Sequence, residues 1–182
     1  MMEDGRPAEA LAVAQDGLRM VKAAGYWWVQ ATLESTVGLL YAELGQYDSA
    51  LAHCQRSVGL HRESGNRAGV GDAQATLGKI HARRGDLAEA TTHFQQAIDV
   101  FRDTGAAFDE ADTLTDLGQT LAEAGIWIEA RDAWLAAQDI FGRLAHPRAD
   151  DVAAKLAALE NDSRVADPGF RPESIRVVPD GR

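Results

Sequence analysis

Two carboxylates one helical turn apart, Asp112 and Asp116, are the nearest thing in the chain to a catalytic or metal-binding pair. Side chains at i and i+4 share a helix face, and two acids so placed could divide acid and base work or hold a cation. No histidine or further ligand accompanies them in the sequence. His53 and His93 fall one repeat apart, on what reads as the outward side of two helices. His81 reads as a packed ring at a repeat position. His61 ends a helix and His146 lies in a turn. Cys54 stands on an apolar stripe and reads as a small hydrophobe rather than a nucleophile. There is no His-Glu-x-x-His, no cysteine pair, no Gly-x-Ser-x-Gly and no phosphate-binding Gly-x4-Gly-Lys-Ser/Thr. The expectation is a protein that is not an enzyme, with no catalytic residues, no metal site and no cofactor.

The elements that would position these residues recur at a fixed step. Gly38, Gly78 and Gly118 are 40 residues apart, as are Gly45, Gly85 and Gly125, and Ala50, Ala90 and Ala130. A period of this length marks a stacked array in which each repeat is one supersecondary unit. Helical spacing of apolar residues places helices at 7–24, 27–44, 47–64, 67–84, 87–104, 107–124 and 127–144, with an eighth over about 148–160. Pro7 suits a first helical turn, and Gly25, Gly65 and Gly105 stop helices. Linkers of two to four residues make neighbours antiparallel. No segment alternates as a strand would, so the chain reads as all-α.

Totals limit the function classes. The 182 residues carry a net charge of −10, which disfavours direct contact with nucleic acid or an anionic membrane surface, since both need clustered Lys and Arg. One cysteine forms no internal disulfide. The N-terminus has no basic-then-apolar leader and no stretch reaches the length of a transmembrane helix, so the chain reads as soluble and cytoplasmic. Residues 162–182 hold three of the five prolines and balanced charge, leaving the net charge on the repeats. They are expected to be disordered or loosely laid on the surface.

Leu77, Gly78, Gly85, Ala90, Phe94 and Ala97, with Leu117, Gly118, Gly125, Ala130, Trp134 and Ala137, follow the pattern of the tetratricopeptide repeat, and the chain resembles that family over about 5–160. Val37, Gly38, Tyr41, Gly45 and Ala50 match too, with Cys54 in the aromatic's place. The period is 40 residues rather than the usual ~34. This longer form is similar to the repeats at the C-terminal end of bacterial SARP-type transcriptional regulators and STAND-class signalling ATPases. The resemblance implies a right-handed α-solenoid. A partial repeat at 5–24 and hairpins at 27–64, 67–104 and 107–144 precede the closing helix, forming one domain over 1–161.

The resemblance also implies a concave face, lined by the first helix of each hairpin, that binds a protein or peptide. By alignment it includes Thr32, Ser35, Thr36, Leu39 and Glu43, then Asp72, Thr76, Lys79 and Arg83, then Asp112, Asp116, Gln119 and Glu123. The last set is acidic. It reads either as a groove selecting a basic segment or, more economically, as a solvated face. The clamp for a C-terminal carboxylate found in some of these proteins is missing, because Ser35, Leu39, Ala75, Lys79, Thr115 and Gln119 stand in its places.

Trp27 and Trp28 read as an interface or as packing against helix 7–24. The chain opens on the second helix of a hairpin, which suggests a piece of a longer protein or self-association through the N-terminal end, the former being favoured. The leading expectation is a non-catalytic scaffold or adaptor. The alternative is a regulatory or sensor segment of a larger transcriptional regulator or signalling ATPase. A third reading, a peptide-pheromone receptor, has no residue behind it.

Overall fold

The computed structural model describes residues 5–161. Eight helices follow one another: α1 (Gly5–Ala24), α2 (Trp27–Glu43), α3 (Tyr47–Glu63), α4 (Arg67–Arg84), α5 (Leu87–Thr104), α6 (Ala107–Glu123), α7 (Trp127–Arg143) and α8 (Arg148–Glu160). The described residues contain no strand, and the helices stack as an α-solenoid. The tail at 162–182 lies outside the described residues. No helix among the described residues is long and apolar enough to cross a membrane.

The stops work as the glycines suggest. At the end of α5, Gly105 takes φ +72°, its N–H donates to the carbonyl of Arg102, and the N–H of Ala106 donates to that of Phe101. This satisfies carbonyls that a helix end leaves free. Ala145 has the same bonding at the end of α7 but carries a side chain at φ +50°, a conformation that favours glycine.

Each hairpin closes where the first helix has no side chain. A Cβ on Gly78 would sit 2.7 Å from the Phe94 ring, and one on Gly118 would sit 2.5 Å from Trp134. Gly38 meets the Cys54 sulfur in the same way. The facing alanines Ala50, Ala90 and Ala130 are fully buried. Beside these contacts the core thickens toward the C-terminal end. Leu11, Leu18 and Val37 form a small cluster near α1. A larger one runs from Phe94 and Ile98 through Trp134 and Phe141 to Val152 and Leu159. Trp127 and Ile126 pack against that cluster, whereas Ile128 stays exposed.

Polar groups fill the first hairpin where apolar ones fill the last. Glu34 on α2 is fully buried. Its carboxylate accepts from His53 Nδ1 at 2.7 Å and Arg56 Nε at 3.2 Å, both on α3, and lies 2.8 Å from Lys22 Nζ on α1. Burial pushes its pKa up, but hydrogen bonds from Lys22 and His53 and the charges of Lys22 and Arg56 outweigh this and leave it lowered. One repeat on, Gln74 accepts from His93 at 2.7 Å. One further, the pair is Leu114 with Ala133, both in the apolar core. The aromatic stack follows suit: Tyr41 lies 5.2 Å from His53, and His81 lies 5.2 Å from His93.

His53 and His93 are therefore not on an outward surface, as the spacing suggests. They are partly buried between the two helices of their hairpins because a buried acceptor on the first helix holds each ring. His81 is a packed ring, as expected. Cys54 is fully buried, and burial, followed by the charge of Glu34, pushes its thiol up to about 12.

Two measurements probe this packing. Gly78→Ala should cost about 1–3 kcal/mol by forcing a methyl against Phe94, and Phe94→Ala about 3–5 kcal/mol. In urea unfolding the double variant should cost less than the sum, because removing the ring makes room for the methyl. Acid should act in two stages. Burial lowers the pKa of His61 and of His93, the latter also lowered by His81, so both stay neutral when folded while the unfolded chain takes up protons below about pH 6.5. Stability should fall there first. The stabilisation by the Glu34 carboxylate, full above the ordinary value of 4.5, should be lost next as pH falls through its lowered folded value. Glu34→Gln should cost about 1–3 kcal/mol at pH 7, and melting curves should show that difference vanishing in strong acid.

Candidate partner-binding surface

The first helices α2, α4 and α6 lie side by side, and α8 borders α6 through paired side chains. These helices carry the residues assigned to the concave face. Most of the acidic set on α6 already has partners inside the chain. Asp112 pairs with Arg148 at the start of α8, whose guanidinium also lies 5.4 Å from the centre of the Phe141 ring. Asp116 lies 2.8 Å from Lys79 Nζ on α4. Lys155 Nζ donates to Gln119 Oε1 at 2.7 Å, and Gln119 Nε2 donates to Glu123 at 2.9 Å. Lys155 also sits 5.7 Å from the centre of the Trp134 ring. The row is thus a ladder of neutralised pairs across neighbouring first helices rather than a bare acidic strip.

One stretch remains uncompensated. Between α4 and α6 a pocket of about 180 Å3 is lined by Asp72, Thr76, Lys79, Asp109, Asp112 and Thr113 among others. Asp72 and Asp109 form no ion pair among the described residues. Asp72 as a whole is exposed, yet the atoms packed round its carboxyl, and then the charge of Asp109, push its pKa up. A raised carboxylate is one whose charged form would gain from a cation. Asp72 is among the residues assigned to the concave face by alignment, whereas Asp109, in the first turn of α6, is not. The signal was available in the period, since Asp109 aligns with Gly69 and Val29, where no earlier repeat has a charge.

The other assigned residues are dispersed. Arg83 stands at the far end of α4, where its carbonyl accepts from the Tyr47 hydroxyl at 3.2 Å. Glu123 lines a different pocket with Leu87 and Thr120. Ser35 is partly buried and donates to Ser57 on α3 at 2.8 Å, so the hairpin takes up its hydroxyl. Trp27 and Trp28 are 48% and 52% exposed and meet edge to face with centres 5.7 Å apart, and Tyr26 packs 5.4 Å from Trp28. Their aromatic surface is only half covered by the chain. Among the described residues no group of three or more His, Cys, Asp or Glu is placed to hold a metal ion.

Residues 29–103 match the family model described as tetratricopeptide repeat. No curated protein matches the chain. Among solved structures, BtubC (BKLC) from P. vanneervenii is similar, with a TM-score of 0.75 and 16% identity over 89% of this chain and 70% of that one. The apo form of RapI is similar with a TM-score of 0.72 and 13% identity, over 85% of this chain and 44% of that one, so this chain spans less than half of RapI. At such identities the likeness is one of fold. None of these matches singles out SARP-type regulators or STAND-class ATPases. Residues 29–103 thus carry tetratricopeptide repeats, the same spacing continues in phase through Gly125 and Ala130, and the two similar structures share the fold.

Proposed function

We propose that the protein is a non-catalytic protein- or peptide-binding scaffold that uses the face formed by α2, α4, α6 and α8. The pocket between α4 and α6 takes a basic side chain of the bound segment. The observation that carries this reading is the pair of unneutralised carboxylates, Asp72 and Asp109, in a pocket whose other charges are matched within the chain. Lys79, Asp112, Asp116 and Gln119 serve as a rigid frame, since each is already held by a neighbour. Threonine hydroxyls near the pocket point back to their own helices: Thr76 donates to the Asp72 carbonyl and Thr113 to that of Asp109. That leaves the carboxylates as the main recognition groups. Trp27 and Trp28 form a second contact place, where half-covered indole rings offer the kind of surface that dominates binding energy at interfaces.

The test is a short acetylated peptide with one arginine between alanines, titrated into the protein and followed by calorimetry or amide shifts. Binding should weaken as salt rises. Asp72→Asn combined with Asp109→Asn should lower affinity about fivefold. It should leave the fold intact, because neither carboxylate holds an ion pair among the described residues. Equal affinity in the variant would sink the pocket assignment.

A further inference from the structure

A second pocket lies away from that face, where the chain crosses from α3 to α4. It measures about 260 Å3 and is lined by Arg62 on α3, Asn66 and Arg67 at the crossing, Val70 on α4 and Val100 on α5. Val70 and Val100 are partly buried and Arg62 is exposed.

The 40-residue register shows what such a place looks like when filled. One repeat on, Arg62 becomes Arg102, Val70 becomes Glu110 and Val100 becomes Ile140. There the Glu110 carboxylate accepts from Arg102 Nε at 3.0 Å and from its terminal nitrogen at 2.9 Å. The Glu110 side chain is only 13% exposed, and Ile140 is 6% exposed. A glutamate thus occupies this register position in the later copy, nearly enclosed and with its carboxylate on the arginine. In the earlier copy Val70 is too short to reach Arg62. No carboxylate among the described residues pairs with Arg62. Arg67, in the place of Ala107, adds a second cation at the rim, paired with Asp103 at 2.9 Å.

We propose that this pocket is a docking site for an acidic side chain of a partner protein, a Glu or Asp seated on Val70 and Val100 and held by Arg62. Two observations argue for an acid. An arginine without an acid of its own offers complementary charge on a chain whose net charge is −10. The adjacent repeat fills the same position with a carboxylate of the chain itself. The site is separate from the α4–α6 pocket and reads the opposite charge, so either can fail without the other.

The experiment uses N-acetyl-glutamate N-methylamide as probe and its glutamine counterpart as control, titrated into the full chain. The readouts are the Val70 and Val100 methyl signals and the Arg62 Nε–H signal. Saturable shifts at all three are expected, with the glutamate probe binding about two- to fivefold tighter than the glutamine one. Arg62→Gln, a change at an exposed position, should remove that preference. Val70→Glu should supply the carboxylate from within and abolish the shifts, with its melting temperature checked to show that it folds. Equal binding of the two probes, no saturation up to the solubility of the glutamate probe, or undiminished binding to a folded Val70→Glu variant would each overturn the proposal.

Discussion

The array depends on one repeated constraint: two helices approach so closely that one of them must lack a side chain. Gly38, Gly78 and Gly118 provide the gap, and Cys54, Phe94 and Trp134 fill it. The filler changes while the gap does not. A methyl at Gly78 or Gly118 would meet the facing ring, and one at Gly38 would meet the Cys54 sulfur with the Ala50 carbonyl just behind it, so each glycine is kept by the side chain packed onto it. Once that approach is set, the alanines at 50, 90 and 130 are fully enclosed, and stability can accumulate from neighbour to neighbour.

With that contact held constant, the rest of each hairpin is free to vary, and it varies in sets. Glu34 with His53 and Tyr41 becomes Gln74 with His93 and His81, then Leu114 with Ala133 and Leu121. A buried charge, a buried neutral hydrogen bond and an apolar contact occupy the same place in turn. Each is self-consistent. A leucine opposite His53 would leave a buried ring nitrogen without its acceptor, and a glutamate opposite Ala133 would be buried without a donor. The first hairpin therefore carries the carboxylate stage of the acid response, beside the earlier stage set by His61 and His93. There alone Lys22 of α1 shares a carboxylate with α2 and α3.

The fold was legible because its signals are local and repeated. The glycines that end helices take the left-handed conformation at Gly25, Gly65 and Gly105, and the helical glycines sit at the close contacts. The all-α solenoid follows from those residues and the apolar stripes. The surface was less legible, for a geometric reason. Reading copies at a 40-residue step compares equivalent places, but side chains that touch across neighbouring first helices are one turn short of that step. Asp112 meets Arg148 and Gln119 meets Lys155, each 36 residues on, and Lys79 meets Asp116 at nearly the same offset. An alignment in phase therefore shows three carboxylates on one face and misses the cations that neutralise two of them. Glu34 was overlooked for a related reason: its partners lie on different helices, and a charged residue within a helix reads by default as solvated.

These offsets also explain where recognition is available. A residue that finds its partner one turn short of the repeat is committed to holding neighbouring helices in place. A residue that has no such partner is not. Asp72 and Asp109 on one face, and Arg62 on another edge, line pockets and have no opposite charge among the described residues. The neighbouring Lys79–Asp116 and Arg102–Glu110 pairs show the same surroundings with the charge matched. Differences between copies of one structural unit thus separate the side chains that build the array from those left over for a partner.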